Sequence, residues 1–194
     1  MQPPPEPSRL DRVRFPIRTP RLLLRLPRRA DVPALVPLVS DWRIARMTRI
    51  PHPYRAREGF EFIRASRRHV RKGDTLPLVV TDANDGRLLG GTGLHALDWA
   101  DRRGELGYWI APKDWGRGLA PEAAYAVCRL GFATLRLHRI QATVLAVNPR
   151  SARVLRKVGF RLEGREREHH RDGRRWVDVL RFGLLADELR PPRA

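Results

Sequence analysis

Gly104-Glu105-Leu106-Gly107-Tyr108-Trp109-Ile110-Ala111-Pro112-Lys113-Asp114-Trp115-Gly116-Arg117-Gly118-Leu119-Ala120-Pro121-Glu122-Ala123 is the stretch that decides how this chain folds. In its first part Leu106, Tyr108 and Ile110 alternate with Glu105, Gly107 and Trp109. That two-residue period predicts a strand over 105–110, with one set on each face. Residues 112–118 then form a polar, glycine-bearing loop. The loop opens a helix with Pro121 in its first turn, where a missing amide hydrogen is tolerated. Ala120, Ala123, Ala124, Val127 and Leu130 supply its apolar positions.

Strand, glycine loop and helix start together suit an anion. Glycine lets the backbone bend tightly and lets a ligand come close. The first helical turn leaves amide hydrogens without partners, at the positive end of the helix dipole. Gly116, Arg117, Gly118, Leu119 and Ala120 therefore read as a pyrophosphate cradle with a cation beside it. The loop lacks the Gly-Lys-Ser/Thr ending of a nucleoside triphosphate loop and the third glycine of a dinucleotide fingerprint. By itself it reads equally well as a tight turn before a helix.

Working outward, residues 21–26 are a first strand, and Asp31 caps a helix to about Val39 that Pro37 shortens or kinks. A helix over about 57–71 places Phe60, Ile63 and Val70 on one face. Strands at 76–81 and 87–97 flank Asn84-Asp85-Gly86, a hairpin turn. Beyond the glycine loop's helix come a strand at 140–147, a short helix from Asn148-Pro149 stopped by Gly159, and strands at 160–169 and 176–184 around Asp172-Gly173. The expectation is an α/β (α+β) domain over 17–189, with seven strands and about four helices. Residues 1–16 and 190–194, rich in proline, read as disordered tails.

Composition narrows the class. A chain of 194 residues with 42% hydrophobic and 31% charged residues suits one globular domain. A single cysteine, Cys128, rules out an internal disulfide and a cysteine-rich zinc site. No apolar run approaches the ~18–20 residues of a membrane helix, and no leader-like segment opens the chain. The expectation is a cytoplasmic protein, monomer or homodimer, without membrane association. The net charge is +18, and only Lys72, Lys113 and Lys157 of the 39 basic residues are lysines. Such a field draws polyanions, although arginines spread this evenly also follow from a GC-rich coding bias.

Several stretches, in order, resemble the GNAT superfamily of N-acetyltransferases. They are 104–112 with 115–123, then Leu137-His138-Arg139-Ile140, Asn148-Pro149-Arg150-Ser151-Ala152-Arg153-Val154-Leu155, Gly159-Phe160-Arg161-Leu162-Glu163-Gly164, and Asp172-Gly173 with Trp176-Val177-Asp178. The set is similar to the RimJ/RimL branch, named for ribosomal-protein N-terminal acetyltransferases, and covers roughly residues 17–187. The resemblance implies the GNAT fold, a mixed, mostly antiparallel sheet, and acetyl-CoA as co-substrate without a metal. It implies that the main chain of Trp109 and Ile110 holds the pantetheine arm, that amides of Gly116 to Ala120 hold the pyrophosphate, and that Asn148, Ser151 and Arg153 lie along the cofactor. Trp115 stands where the general superfamily pattern has Gln or Arg. Leu155 stands where many members carry a proton-donating tyrosine.

Amine acylation needs a neutral amine, a polarised carbonyl, a base and a proton for the thiolate. Glu105, on the strand leading to the cofactor, is the first expectation for the base, and His169 with His170 the second. With Leu155 unable to give a proton, Ser151 is expected in that role. Each residue also has a plain alternative: a salt-bridged surface glutamate beside Arg102 and Arg103, a solvated histidine pair, a first-turn helix serine. The acceptor is expected to be a protein N-terminus, with ribosomal association, or else a small amine such as a polyamine, an amino acid or an antibiotic. A basic RNA-binding module with a vestigial cofactor site is the reading from another class.

Overall fold

The computed structural model describes residues 9–48, 50–173 and 175–192. Eight strands form one sheet in the order β1-β2-β3-β4-β5-β6-β8-β7. They are β1 (Ile17–Arg18), β2 (Leu22–Arg25), β3 (Leu76–Asp82), β4 (Leu88–Asp98), β5 (Arg103–Ile110), β6 (Arg139–Leu145), β7 (Arg161–Asp172) and β8 (Arg175–Leu185). The helices are α1 (Val32–Val39), α2 (Trp42–Ala45), α3 (Ala56–Lys72), α4 (Leu119–Ala133) and α5 (Pro149–Val158). All pairings are antiparallel except β5 with β6, which are parallel and joined through α4.

The sequence expectation of seven strands and about four helices is corrected to eight and five among the described residues. The added strand, β1, is two residues paired with Leu23 and Leu24, too short to show a period. The added helix, α2, is a single turn whose N-cap Asp41 accepts from Arg43 N at 2.9 Å. The tails are also corrected in part. Residues 1–8, 193 and 194 lie outside the described ones. Arg9–Arg12 form a 3-10 turn that buries Leu10, with Val13 buried beside it. At the other end Arg190 N donates to Val158 O. Prolines at both ends suggested disorder, but one well-placed leucine anchors the first segment by removing its surface from water.

The sheet has two covered faces. On one, Leu76, Leu78, Val80, Leu106, Ile110, Ile140, Ala142 and Val144 pack with Ala123, Ala124 and Val127 of α4 and Leu155 and Val158 of α5. On the other, Leu35 and Val39 of α1, Tyr54, Val79 and Leu88 form a smaller cluster touched by Phe62 of α3 and by Trp109. β5 thus turns its even residues to α4 and its odd residues to α1. That split places Tyr108 and Glu105 on opposite faces of one strand.

The sheet parts at one place, between β5 and β6. These strands pair at Arg103/Arg139, Gly104/Ile140 and Glu105/Gln141, and no further. β5 runs on to Ile110 beside β4, and β6 to Leu145 beside β8. Leu10→Ala is expected to cost ~2–4 kcal/mol of unfolding free energy if the N-terminal turn closes the core as described. Chemical denaturation measures it, and a cost under ~0.5 kcal/mol would mean the turn contributes nothing.

Candidate functional site

The parting between β5 and β6 is bridged on both faces. On the α1 face, Thr143 Oγ1 of β6 donates to Glu105 Oε1 at 2.8 Å. Glu105 is half-buried and makes no ion pair with Arg102 or Arg103. Arg103 instead faces Asp98 and Asp101, and Arg102 Nε donates to Arg136 O. On the α4 face, the Tyr108 hydroxyl lies 2.9 Å from Ser151 Oγ and 3.0 Å from Ser151 O, at the first turn of α5. Burial pushes the Tyr108 phenol far above its ordinary pKa, outweighing the Ser151 hydrogen bond. It stays protonated at any working pH.

The floor beside Glu105 is glycine-lined. A Cβ at Gly107 would come within 2.8 Å of His95 Nε2, and one at Gly91 within 2.6 Å of Trp109 Nε1. Bare backbone at these positions lets both rings lie flat on the sheet. His95 and Glu105 face each other across the β4–β5 ladder.

The glycine loop turns through two left-handed glycines into α4. Gly116 and Gly118 have φ of 82° and 73°, the left-handed region that other residues enter at a cost, and Gly118 is the N-cap of α4. Nothing lies within 4 Å of a Cβ built on Gly116, and one on Gly118 meets only the tip of Arg21 at 3.3 Å. The space beside both glycines is therefore open. Leu119 is buried and Ala120 half-buried, so main chain and not side chain faces it.

The loop is fixed by charged partners that the sequence reading missed. Asp114 is 4% exposed and takes both Arg87 Nη1 (2.9 Å) and Arg117 Nη1 (2.7 Å). Hydrogen bonds from Arg87 hold its carboxyl below the usual range against the cost of burial, with a smaller contribution from Arg117. Arg117 is therefore already paired. From the other side, Arg21 Nη1 donates to Arg117 O at 2.7 Å, and Arg21 pairs with Glu122, which also accepts from Thr19. Trp115 closes the corner. Its Nε1 donates to Ile110 O at 2.6 Å, and Arg43 and Arg150 stand 5.9 Å and 5.3 Å from its ring centre.

Asn148 caps α5, its Oδ1 accepting from Ser151 N at 3.1 Å, so the residue expected along the cofactor also sets the start of that helix. Arg153 is exposed on α5. His169 lies apart from these groups on β7. Its Nδ1 is 3.3 Å from Glu166 Oε2, and Glu166 Oε1 accepts from Arg181 at 2.8 Å. Arg181 pairs in register with Thr143, which places this chain of residues on the Glu105 face. His170 is half-buried on the same strand. Cys128 is fully buried in α4, and burial raises its thiol pKa, so it is not a nucleophile. No helix among the described residues is long and apolar enough to cross a membrane.

Known proteins share this architecture. A family model described as an acetyltransferase (GNAT) domain matches residues 21–161. The chain is 35% identical over 101 residues to the uncharacterized N-acetyltransferase p20 of Bacillus licheniformis, 52% of this chain and 57% of that one. It is 33% identical over 162 residues to N-acetyltransferase YoaA of Bacillus subtilis, 80% and 88% of the two chains. With the ribosomal protein uS5-alanine N-acetyltransferase of Escherichia coli it shares 34% identity over 88 residues, 45% of each. The p20 and uS5-enzyme matches thus span about half of those relatives, and the YoaA match most of its length. Among solved structures, Mycobacterium smegmatis RimJ in complex with CoA-disulfide has a TM-score of 0.78 at 27% identity, covering 93% of this chain and 88% of that one. Spermidine N-acetyltransferase from Vibrio cholerae, in complex with CoA and spermine, has 0.77 at 26%, covering 88% and 98%.

Asp114→Asn should destabilise the fold by ~1–3 kcal/mol at neutral pH, a figure held down because Arg87 and Arg117 keep contact with water. A lowered carboxyl pKa stabilises above the ordinary value of ~3.9 and stops doing so as pH falls through the folded-state value. The gap between variant and wild type should therefore close in strong acid. Urea unfolding at neutral pH and in steps from about pH 4 down to about pH 2 measures both, and a gap that does not narrow along that series would mean the charge is not what holds the loop.

Proposed function

The chain belongs to the GNAT acetyltransferase family, whose members depend on acetyl-CoA, and from that premise we propose that it acetylates the N-terminal α-amine of a protein by direct transfer in a ternary complex. The observation carrying the choice of acceptor is the state of the carboxylates around the Glu105 face. Asp41 is paired with Arg43, Asp172 faces Arg46 at 3.9 Å, and Glu166 is held by Arg181 and lies beside His169. A polyamine needs carboxylates with charge to spare, and a chain of net charge +18 repels it. An N-terminal amine, with pKa ~7.7–8.0, is already partly neutral at working pH and needs only a modest base. The same positive field supports an acceptor presented on a polyanionic assembly such as the ribosome.

In this reading bound acetyl-CoA supplies the thioester carbonyl that the amine attacks. Main-chain amides from Gly116 to Ala120 hold the diphosphate at the start of α4. The pantetheine arm runs beside Trp109 and Ile110 in the place β6 vacates, and Trp115, bonded to the Ile110 carbonyl, fixes the corner between these two stretches. Asn148, Ser151 and Arg153 form the opposite wall. Glu105 accepts the amine proton, directly or through one water, with Thr143 fixing the carboxylate's orientation. Amides at the strand end polarise the carbonyl. Ser151 holds a proton at Oγ for the departing sulfur. His169, oriented by Glu166, lies further along the acceptor face as the second choice of base.

Mass spectrometry of products from N-terminal peptides, polyamines, amino acids and aminoglycosides, each with acetyl-CoA, tests the proposal. Peptide α-amines are expected to be turned over at least tenfold more efficiently than spermidine. Preferred turnover of spermidine would sink the α-amine assignment while leaving the family intact. Glu105→Gln is expected to lower kcat by ~10²-fold with little change in acetyl-CoA affinity. Full activity in that variant would move the base elsewhere, with His169→Ala the next variant to assay.

A further inference from the structure

Tyr108 reaches from β5 across the parting to α5, and its hydroxyl meets two oxygens of one residue, Ser151 Oγ at 2.9 Å and Ser151 O at 3.0 Å. The phenol has one proton to donate and the serine another. Two arrangements fill the contact. With Tyr108 donating to the carbonyl, the serine proton turns to the phenol oxygen. With Tyr108 donating to Oγ, the serine proton is released to point away, toward whatever occupies the parting. The backbone of Ser151 is separately fixed, because Asn148 Oδ1 accepts from its N–H at 3.1 Å. Beneath it Ala152 and Leu155 are buried, and neither has a proton to give.

We infer that Tyr108 is a positioning residue for Ser151, holding Oγ in place and freeing its proton toward the cofactor sulfur when that sulfur arrives. This rests on the reading of the parting as the acetyl-CoA site. Burial supports it, since a phenol kept protonated is always available as a donor. Tyr108 itself does not ionise. The serine proton moves to the sulfur as the carbon–sulfur bond breaks, and the proton taken from the amine by Glu105 restores the balance through solvent. The arrangement lets a serine, a poor acid by itself, serve as the proton donor.

The test compares Tyr108→Phe, Ser151→Ala, Ser151→Thr and the double variant Tyr108→Phe/Ser151→Ala with wild type. Calorimetry with CoA and with desulfo-CoA reads the hydroxyl–sulfur contact without turnover. Wild type and Ser151→Thr should prefer CoA, while Tyr108→Phe and Ser151→Ala should lose that preference to the same degree, within about twofold. Turnover should follow, with kcat about tenfold lower in either single variant, KM for acetyl-CoA changed less than about twofold, and the double variant no worse than Ser151→Ala. Tyr108→Phe keeping wild-type preference and kcat while Ser151→Ala loses both overturns the inference. Additive losses in the double variant overturn it too. If wild type binds no CoA at all, the acetyl-CoA reading falls, and this inference with it. Should Tyr108→Phe not fold, wild type and Ser151→Ala labelled at tyrosine Cζ answer by NMR. The Tyr108 resonance should respond to CoA and not to desulfo-CoA in wild type only, and the same response in Ser151→Ala overturns the inference.

Discussion

Past Glu105 and Gln141, β5 and β6 stop pairing although both strands continue. A strand edge inside a folded domain carries N–H and C=O groups that must find partners or be left unpaired at a cost. Side chains reach over the parting on each face, Thr143 to Glu105 on one and Tyr108 to Ser151 on the other, and Trp115 takes up the Ile110 carbonyl at the far end of β5. Between those bridges a slot remains with main chain along one wall. The glycine loop, Glu105 and Ser151 all lie around that slot.

Rigidity around the slot comes from charge more than from size. Apart from Trp115 the glycine loop has no bulky side chain to pack, and it is tied down through Asp114 by Arg87 and Arg117, and through Arg21 by Glu122 and Thr19. Two elements far apart in sequence thereby grip one turn. Arginine suits this work, since its planar fork meets a carboxylate through two bonds at once. Part of the large positive charge is thus engaged in holding the fold together.

Arg117, expected as a cation beside the loop, also shares its charge with Asp114. Glu105 also proves to be held by a hydroxyl and not by Arg102 or Arg103. Neither fact was legible in sequence, since Asp114 and Thr143 gain their partners only when distant strands are brought together. Tyr108 was legible only as one apolar member of an alternating strand. Its hydroxyl acquires meaning from a serine on the other side of the fold.

The order of the longer elements, the glycine turn and the starts of α4 and α5 were determined by sequence alone, because each depends on neighbours a few residues away, whereas Asp31, expected to cap α1, makes no side-chain cap bond and pairs with Arg25. Period two gave β5 its faces, Gly118 began α4, and Asn148 began α5. Only tertiary structure decided where β5 and β6 part, which groups bridge the gap, and that Leu10 belongs to the core. Those outcomes depend on contacts between residues far apart in the chain, and local propensity carries no record of them.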